Sequence, residues 1–79
     1  SVLESAGKVF REITVVSAGD GDSLGSLDVR SRFGVIVLAV ERGQTRVLAP
    51  RGDERLREGD ELFVVGDEKD VDAFEEAVR

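Results

Sequence analysis

Leu27-Asp28-Val29-Arg30-Ser31-Arg32-Phe33-Gly34-Val35-Ile36-Val37-Leu38-Ala39-Val40-Glu41-Arg42-Gly43 is the stretch that decides the fold. A mixed polar segment ends at Gly34, and six apolar residues, Val35 to Val40, follow without a break. Six residues are too few for a buried helix, and the run is too uniform for a strand wet on one side. The pattern predicts a strand buried on both faces. Upstream, Ser23 is placed to cap a helix from Leu24 to about Phe33, with Leu24, Leu27 and Arg30 on one face and Gly25 weakening it. Gly34 suits the left-handed position at which such a helix stops. Downstream, Gly43-Gln44 fits a two-residue hairpin turn with glycine first, and Arg46-Val47-Leu48 alternates as the returning strand.

The remaining elements fall on either side. Val9 to Val16 is rich in β-branched residues and predicts the first strand, with Ile13 and Val15 on one face. Pro50-Arg51-Gly52-Asp53 interrupts the chain, and Glu58-Gly59-Asp60 makes a second tight turn. That turn launches a strand over Leu62–Val65, ended by Gly66. Asp67 is expected to cap a last helix, with Glu68 and Asp70 in its first turn, where the dipole favours anions. Val71, Phe74 and Val78 recur at helical spacing on that helix. The order is β-α-β-β-β-α: an α+β domain over residues 9–79, its helices packed on one mixed or antiparallel sheet. Residues 1–8 read as a linker or the end of a connecting helix.

Composition narrows the chemistry. The chain has 79 residues, with no Cys and no His. No disulfide, thiolate metal site, His general base or His pH switch is available. Seventeen acids against eleven bases give a net charge of −6. An acidic domain repels a phosphate backbone, so no nucleic-acid partner is expected. No apolar run approaches the ~20 residues of a membrane span, and no signal peptide is expected. A domain this small buries only about 60% of its unfolded surface, which makes it marginal alone.

Three local features invite a chemical reading. Gly19-Asp20-Gly21-Asp22-Ser23 alternates like a calcium loop or a phosphate-binding glycine loop. It lacks the closing Glu of the first, and its spacing and two carboxylates do not suit the second, so turn chemistry accounts for it best. Asp53-Glu54, Glu58 and Asp60-Glu61 offer paired carboxylates, but solvation and turn formation explain them at least as well. No catalytic and no metal-ligating residue is assigned. Arg42 ends the apolar strand beside the hairpin, Arg46 follows just past the turn and Arg51 follows Pro50. A guanidinium here either grips a phosphate or carboxylate or serves as a salt bridge or exposed edge charge, and chemistry alone favours the latter.

Taken in order, Gly21-Asp22-Ser23-Leu24, Leu27-Asp28-Val29-Arg30, Phe33 to Gly43, Pro50, Leu56, Gly59-Asp60 and Leu62 to Gly66 resemble the C-terminal RCK domain, or TrkA-C domain. The resemblance spans Phe10 to Val78. It implies a non-enzymatic, cytoplasmic, homodimeric regulatory domain attached to the membrane-embedded part of a potassium or cation transport protein. Such a domain gates by dimer rearrangement on binding a small ligand. Some relatives bind cyclic di-AMP at the dimer interface, and others respond to cations. By this resemblance Arg42 would hold a phosphate, and the backbone of Ile36 and Val37 would line the adenine site. Asp22 stands where the family usually has Lys, which weakens any anion-binding role for that loop. No glycine fingerprint for NAD or ATP is present, and no cofactor is expected. The alternative is a divalent-cation-binding or small enzymatic module built on the acidic Gly/Asp loop.

Overall fold

The computed structural model describes residues 2–79. The chain runs through α1 (Val2–Ser5), β1 (Val9–Thr14), a 3-10 turn (Ser17–Gly19), α2 (Leu24–Leu27) and a π-helical turn (Val29–Phe33). It continues through β2 (Ile36–Arg42), β3 (Thr45–Leu48), β4 (Glu61–Gly66) and α3 (Glu68–Val78). The strands form one antiparallel sheet in the order β1-β4-β2-β3. The expected α+β order is therefore present, with the sheet wholly antiparallel.

Register divides the side chains between two faces, because successive residues of a strand point to opposite sides. Ile13, Leu62, Val40 and Val47 form one row across the sheet on the inner face. The core on that side includes Val15, Leu24, Val29, Val35, Leu56, Val64, Val71, Phe74 and Val78. Val71, Phe74 and Val78 of α3 are fully buried, as their spacing predicts. Phe33 meets Phe74 edge-on, with centroids 5.5 Å apart. Arg11, also on the inner face, donates from Nη1 to Asp72 Oδ1 at 2.5 Å and to Glu75 Oε1 at 3.2 Å, fastening α3 to the edge strand. The hydrogen bond to Asp72 is the main reason its guanidinium is held above the usual arginine range.

Three expectations need correction. The run Val35–Val40 is not buried on both faces: Ile36 is 41% and Leu38 is 40% exposed. They lie on the outer sheet face, over which α3 does not pack, together with the exposed Phe10 and Leu48. A bulge between Val37 and Ala39 also shifts the pairing with β4 by one residue. Secondly, the helix predicted from Leu24 to Phe33 is two pieces. Asp28 takes left-handed backbone angles (φ 52, ψ 51), ends α2 and begins the π turn. Asp tolerates that conformation because its short side chain serves turns well. Thirdly, Asp67 stands at the N-cap of α3 but its side chain caps nothing. It accepts from Lys8 Nζ at 2.9 Å instead, tying the start of α3 to the chain entering β1.

Other local expectations hold. Ser23 caps α2 and forms a reciprocal capping box with Ser26. Gly34 is left-handed (φ 71), and Gly43 (φ 60) turns the β2–β3 hairpin. Ala49, immediately after β3, is also left-handed (φ 48). An L-residue with a Cβ is strained there, by roughly 1 kcal/mol. Ala49→Gly is therefore expected to be neutral or to stabilise by up to about 0.5 kcal/mol in urea unfolding. Ala73→Gly, inside α3, should cost about 1 kcal/mol.

Candidate functional site

The turn at Ala49 opens a cleft. β3 pairs with β2 only over Ala39–Arg42, and its last link is the Ala49 amide donating to the Leu38 carbonyl at 2.8 Å. Beyond that point the chain leaves the sheet through Pro50, so the β3 side of Ile36 and Val37 is open. The resulting cleft, about 390 Å³, has Ile36 and Val37 on its floor, Asp28 and Arg30 on one wall and Pro50 and Arg51 on the other. Its closed end is a backbone contact: the Gly25 amide donates to the Gly52 carbonyl at 2.7 Å. A Cβ on Gly25 would stand 2.9 Å from that oxygen, so glycine is what permits the approach.

Charge in the cleft runs against the charge of the chain. The domain carries −6, yet the cleft walls present Arg30 and Arg51 against one carboxylate, Asp28. Among the described residues, neither arginine has an ion-pair partner. Both are exposed. Two arginines without ion-pair partners, lining a cleft with Val35, Ile36 and Val37, combine positive charge with apolar surface, the chemistry that suits an anionic ligand with an apolar part.

Of the three site residues expected from sequence, the structure brings Ile36 and Val37 into this cleft. It does not bring Arg42 there. The Arg42 guanidinium forms a two-pronged pair with Asp60, from Nε to Oδ1 at 2.9 Å and from Nη2 to Oδ2 at 2.8 Å. Nη2 also donates to the Arg55 carbonyl at 2.8 Å, and Nη1 lies 3.4 Å from Glu54 Oε2. Asp60 is 1% exposed, and its Oδ2 further accepts from the Arg57 amide at 2.8 Å. The hydrogen bond to Asp60 is the largest cause of a raised guanidinium pKa at Arg42. The salt-bridge alternative for Arg42 is thus the observed one. Arg51 was one of the arginines near the hairpin that could grip an anion, whereas Arg30 escaped the sequence reading, because it looked like one position on a continuous helix.

The Gly/Asp loop is built into the scaffold. The Asp20 carboxylate accepts from the Glu58 amide at 3.0 Å, and the Gly21 carbonyl accepts from Arg55 Nη1 at 2.9 Å. The Leu56 amide donates to the Asp22 carbonyl at 2.7 Å. Among the described residues, no three Asp or Glu side chains converge as a cation site. No helix of the described chain is long and apolar enough to cross a membrane.

Comparison with known proteins agrees with this architecture. The TrkA-C domain profile matches residues 10–79. The Ktr system potassium uptake protein C of Bacillus subtilis is 33% identical over 67 residues, 85% of this chain and 30% of that protein. Protein A of the same system is 34% identical over 71% of this chain and 25% of its own length, so the chain spans under a third of either relative. The RCK C domain of the potassium transport protein KtrA, in complex with cyclic diadenosine monophosphate, superposes with a TM-score of 0.84 at 25% identity, covering 95% of this chain and 88% of that one. The RCK_C domain dimer of S. agalactiae BusR in complex with c-di-AMP gives 0.79 at 28% identity, covering 87% of this chain and 93% of that one. With the sequence profile and the antiparallel fold in agreement over nearly its whole length, the chain belongs to the TrkA-C domain family.

Proposed function

We propose that this domain is a cytoplasmic, non-enzymatic ligand-sensing module of a potassium or cation transport protein. It works as a homodimer, and its ligand is a cyclic dinucleotide held in the Ala49-turn cleft. The observation that carries this reading is the cleft itself: two arginines without ionic partners lining it beside apolar residues in an acidic domain. Arg30 and Arg51 hold phosphate oxygens, and the open strand edge at Ile36 and Val37 lines the base. Arg42 stands behind the wall. The relatives solved with c-di-AMP support the choice of ligand class. The exposed Phe10, Ile36, Leu38 and Leu48 support dimerisation, since a small domain gains by covering such a face with a second copy. A ligand that favours one dimer geometry biases the attached pore by the difference in its affinity for the two. BusR is also solved in complex with its promoter DNA, in a chain of which this domain's match covers 35%. The acidity of this domain makes it a poor contact for a phosphate backbone.

Calorimetric titration with cyclic di-AMP tests the reading. Wild type should saturate, and Arg30→Ala should bind roughly 10- to 100-fold more weakly, the loss of a charge-assisted contact. Absence of saturation in wild type would remove the cyclic dinucleotide. Equal affinity in the variant would remove Arg30. Sedimentation of the same protein should show a dimer, and a strict monomer at high micromolar concentration would count against the homodimer.

A further inference from the structure

Arg42 lies outside the cleft, yet every group it touches leads to the cleft. Its guanidinium holds the Arg55 carbonyl and Glu54 against the end of β2. The same segment is then bonded to the other wall: the Leu24 amide donates to the Glu54 carbonyl at 3.0 Å, two residues from the Gly25–Gly52 contact. Asp60, which fixes the guanidinium, is itself fixed by burial and by the Arg57 amide. One side chain thus ties three places together: the end of β2, the start of β4 and the segment whose upstream end, Pro50–Gly52, is the cleft wall.

We propose that Arg42 is a positioning residue for the cleft. It contacts no ligand; it sets the distance between the α2 wall and the Pro50–Gly52 wall by holding the Glu54–Arg57 segment in place. The inference rests on the cleft being the ligand site for its functional meaning, but its structural content can be tested without any ligand. What matters is reach as well as charge. Lysine at this position can keep a point-charge contact with Asp60, but its single ammonium cannot also span to the Arg55 carbonyl.

The test is amide hydrogen exchange on Arg42→Lys, with Arg42→Gln as a second variant, followed by the cyclic di-AMP titration. In Arg42→Lys the Leu24 and Gly25 amides should exchange at least about tenfold faster than in wild type, while Val64 and Val65 in the central strand change less. Ligand affinity should fall by about tenfold in the same variant. If Leu24 and Gly25 change no more than the β4 amides in both variants, Arg42 only adds general stability and the proposal is overturned. If those two amides open locally but affinity is unchanged, the positioning role is overturned as well. If wild type itself binds no cyclic di-AMP, the ligand assignment fails separately, and the exchange result alone decides whether Arg42 sets the wall.

Discussion

Phe74→Ala should leave the isolated domain largely unfolded at room temperature. Phe74 is fully buried between α3 and the sheet and meets Phe33 edge-on. Truncating a buried phenylalanine typically costs about 3 to 5 kcal/mol, because the lost transfer energy adds to the cavity left behind. A domain of this size has a stability of the same order, near the low end of the 5 to 15 kcal/mol range. The chain has no Trp or Tyr, so unfolding is best followed by far-ultraviolet circular dichroism in urea. Phe10→Ala is the matched control: Phe10 is 57% exposed on the outer face, and its loss should cost under about 1 kcal/mol in the monomer. Comparable losses for the two would mean that the core does not sit where α3 and the inner sheet face place it.

Arg42→Met should cost about 3 kcal/mol. Removing one partner of a buried pair usually costs about 3 to 5 kcal/mol, since the other charge is left uncompensated. The Arg42 side chain is 37% exposed while that of Asp60 is 2% exposed, so water softens the loss and places it at the low end. The double variant Arg42→Met with Asp60→Leu should recover much of the stability, because no buried charge remains. Arg46→Ala removes an exposed pair with Glu41, 63% exposed on the arginine side, and should cost under about 0.5 kcal/mol. The pH dependence has a definite sign. A guanidinium raised by its carboxylate partner contributes fully below its unfolded pKa and loses that contribution only as pH climbs through the higher folded value. Urea midpoints of wild type should therefore show no loss from this group between neutral and moderately alkaline pH. A loss of less than about 1 kcal/mol in Arg42→Met would show that the network is held by the loop instead of holding it.

Most strands and turns were legible because their signals are local. The Gly43-Gln44 turn, the Ser23 cap, the left-handed Gly34 and the α3 stripe all depend on neighbours within a few residues, and all four are where the sequence puts them. The errors arose where two local rules competed or where the partner lay far along the chain. Asp28 breaks a helix that hydrophobic spacing would continue, taking a left-handed backbone between α2 and the π turn that the spacing of apolar residues does not register. Val35–Val40 looks doubly buried because an unbroken apolar run reads alike whether its second face is covered by the same chain or left open. Arg42 and Asp60 are 18 residues apart, and nothing in the spacing of either announces the other. The cleft was half legible: Ile36 and Val37 came from family likeness, while the meeting of Arg30 with Arg51 emerges only when the loop after Ala49 is seen to turn away.

The strand order has a consequence for how the chain must be made. β4 lies between β1 and β2, and Val9 pairs with Gly66, so the sheet's first strand waits for its last. During synthesis only the β2–β3 hairpin can close early. The other ladders need Glu61–Gly66 to have left the ribosome. Such distant pairings are slow to find, since the intervening loop must be ordered before the contacts reward it. A nascent chain halted before Glu61 would therefore show its apolar β2 run to the cell with neither α3 nor β4 to shield it.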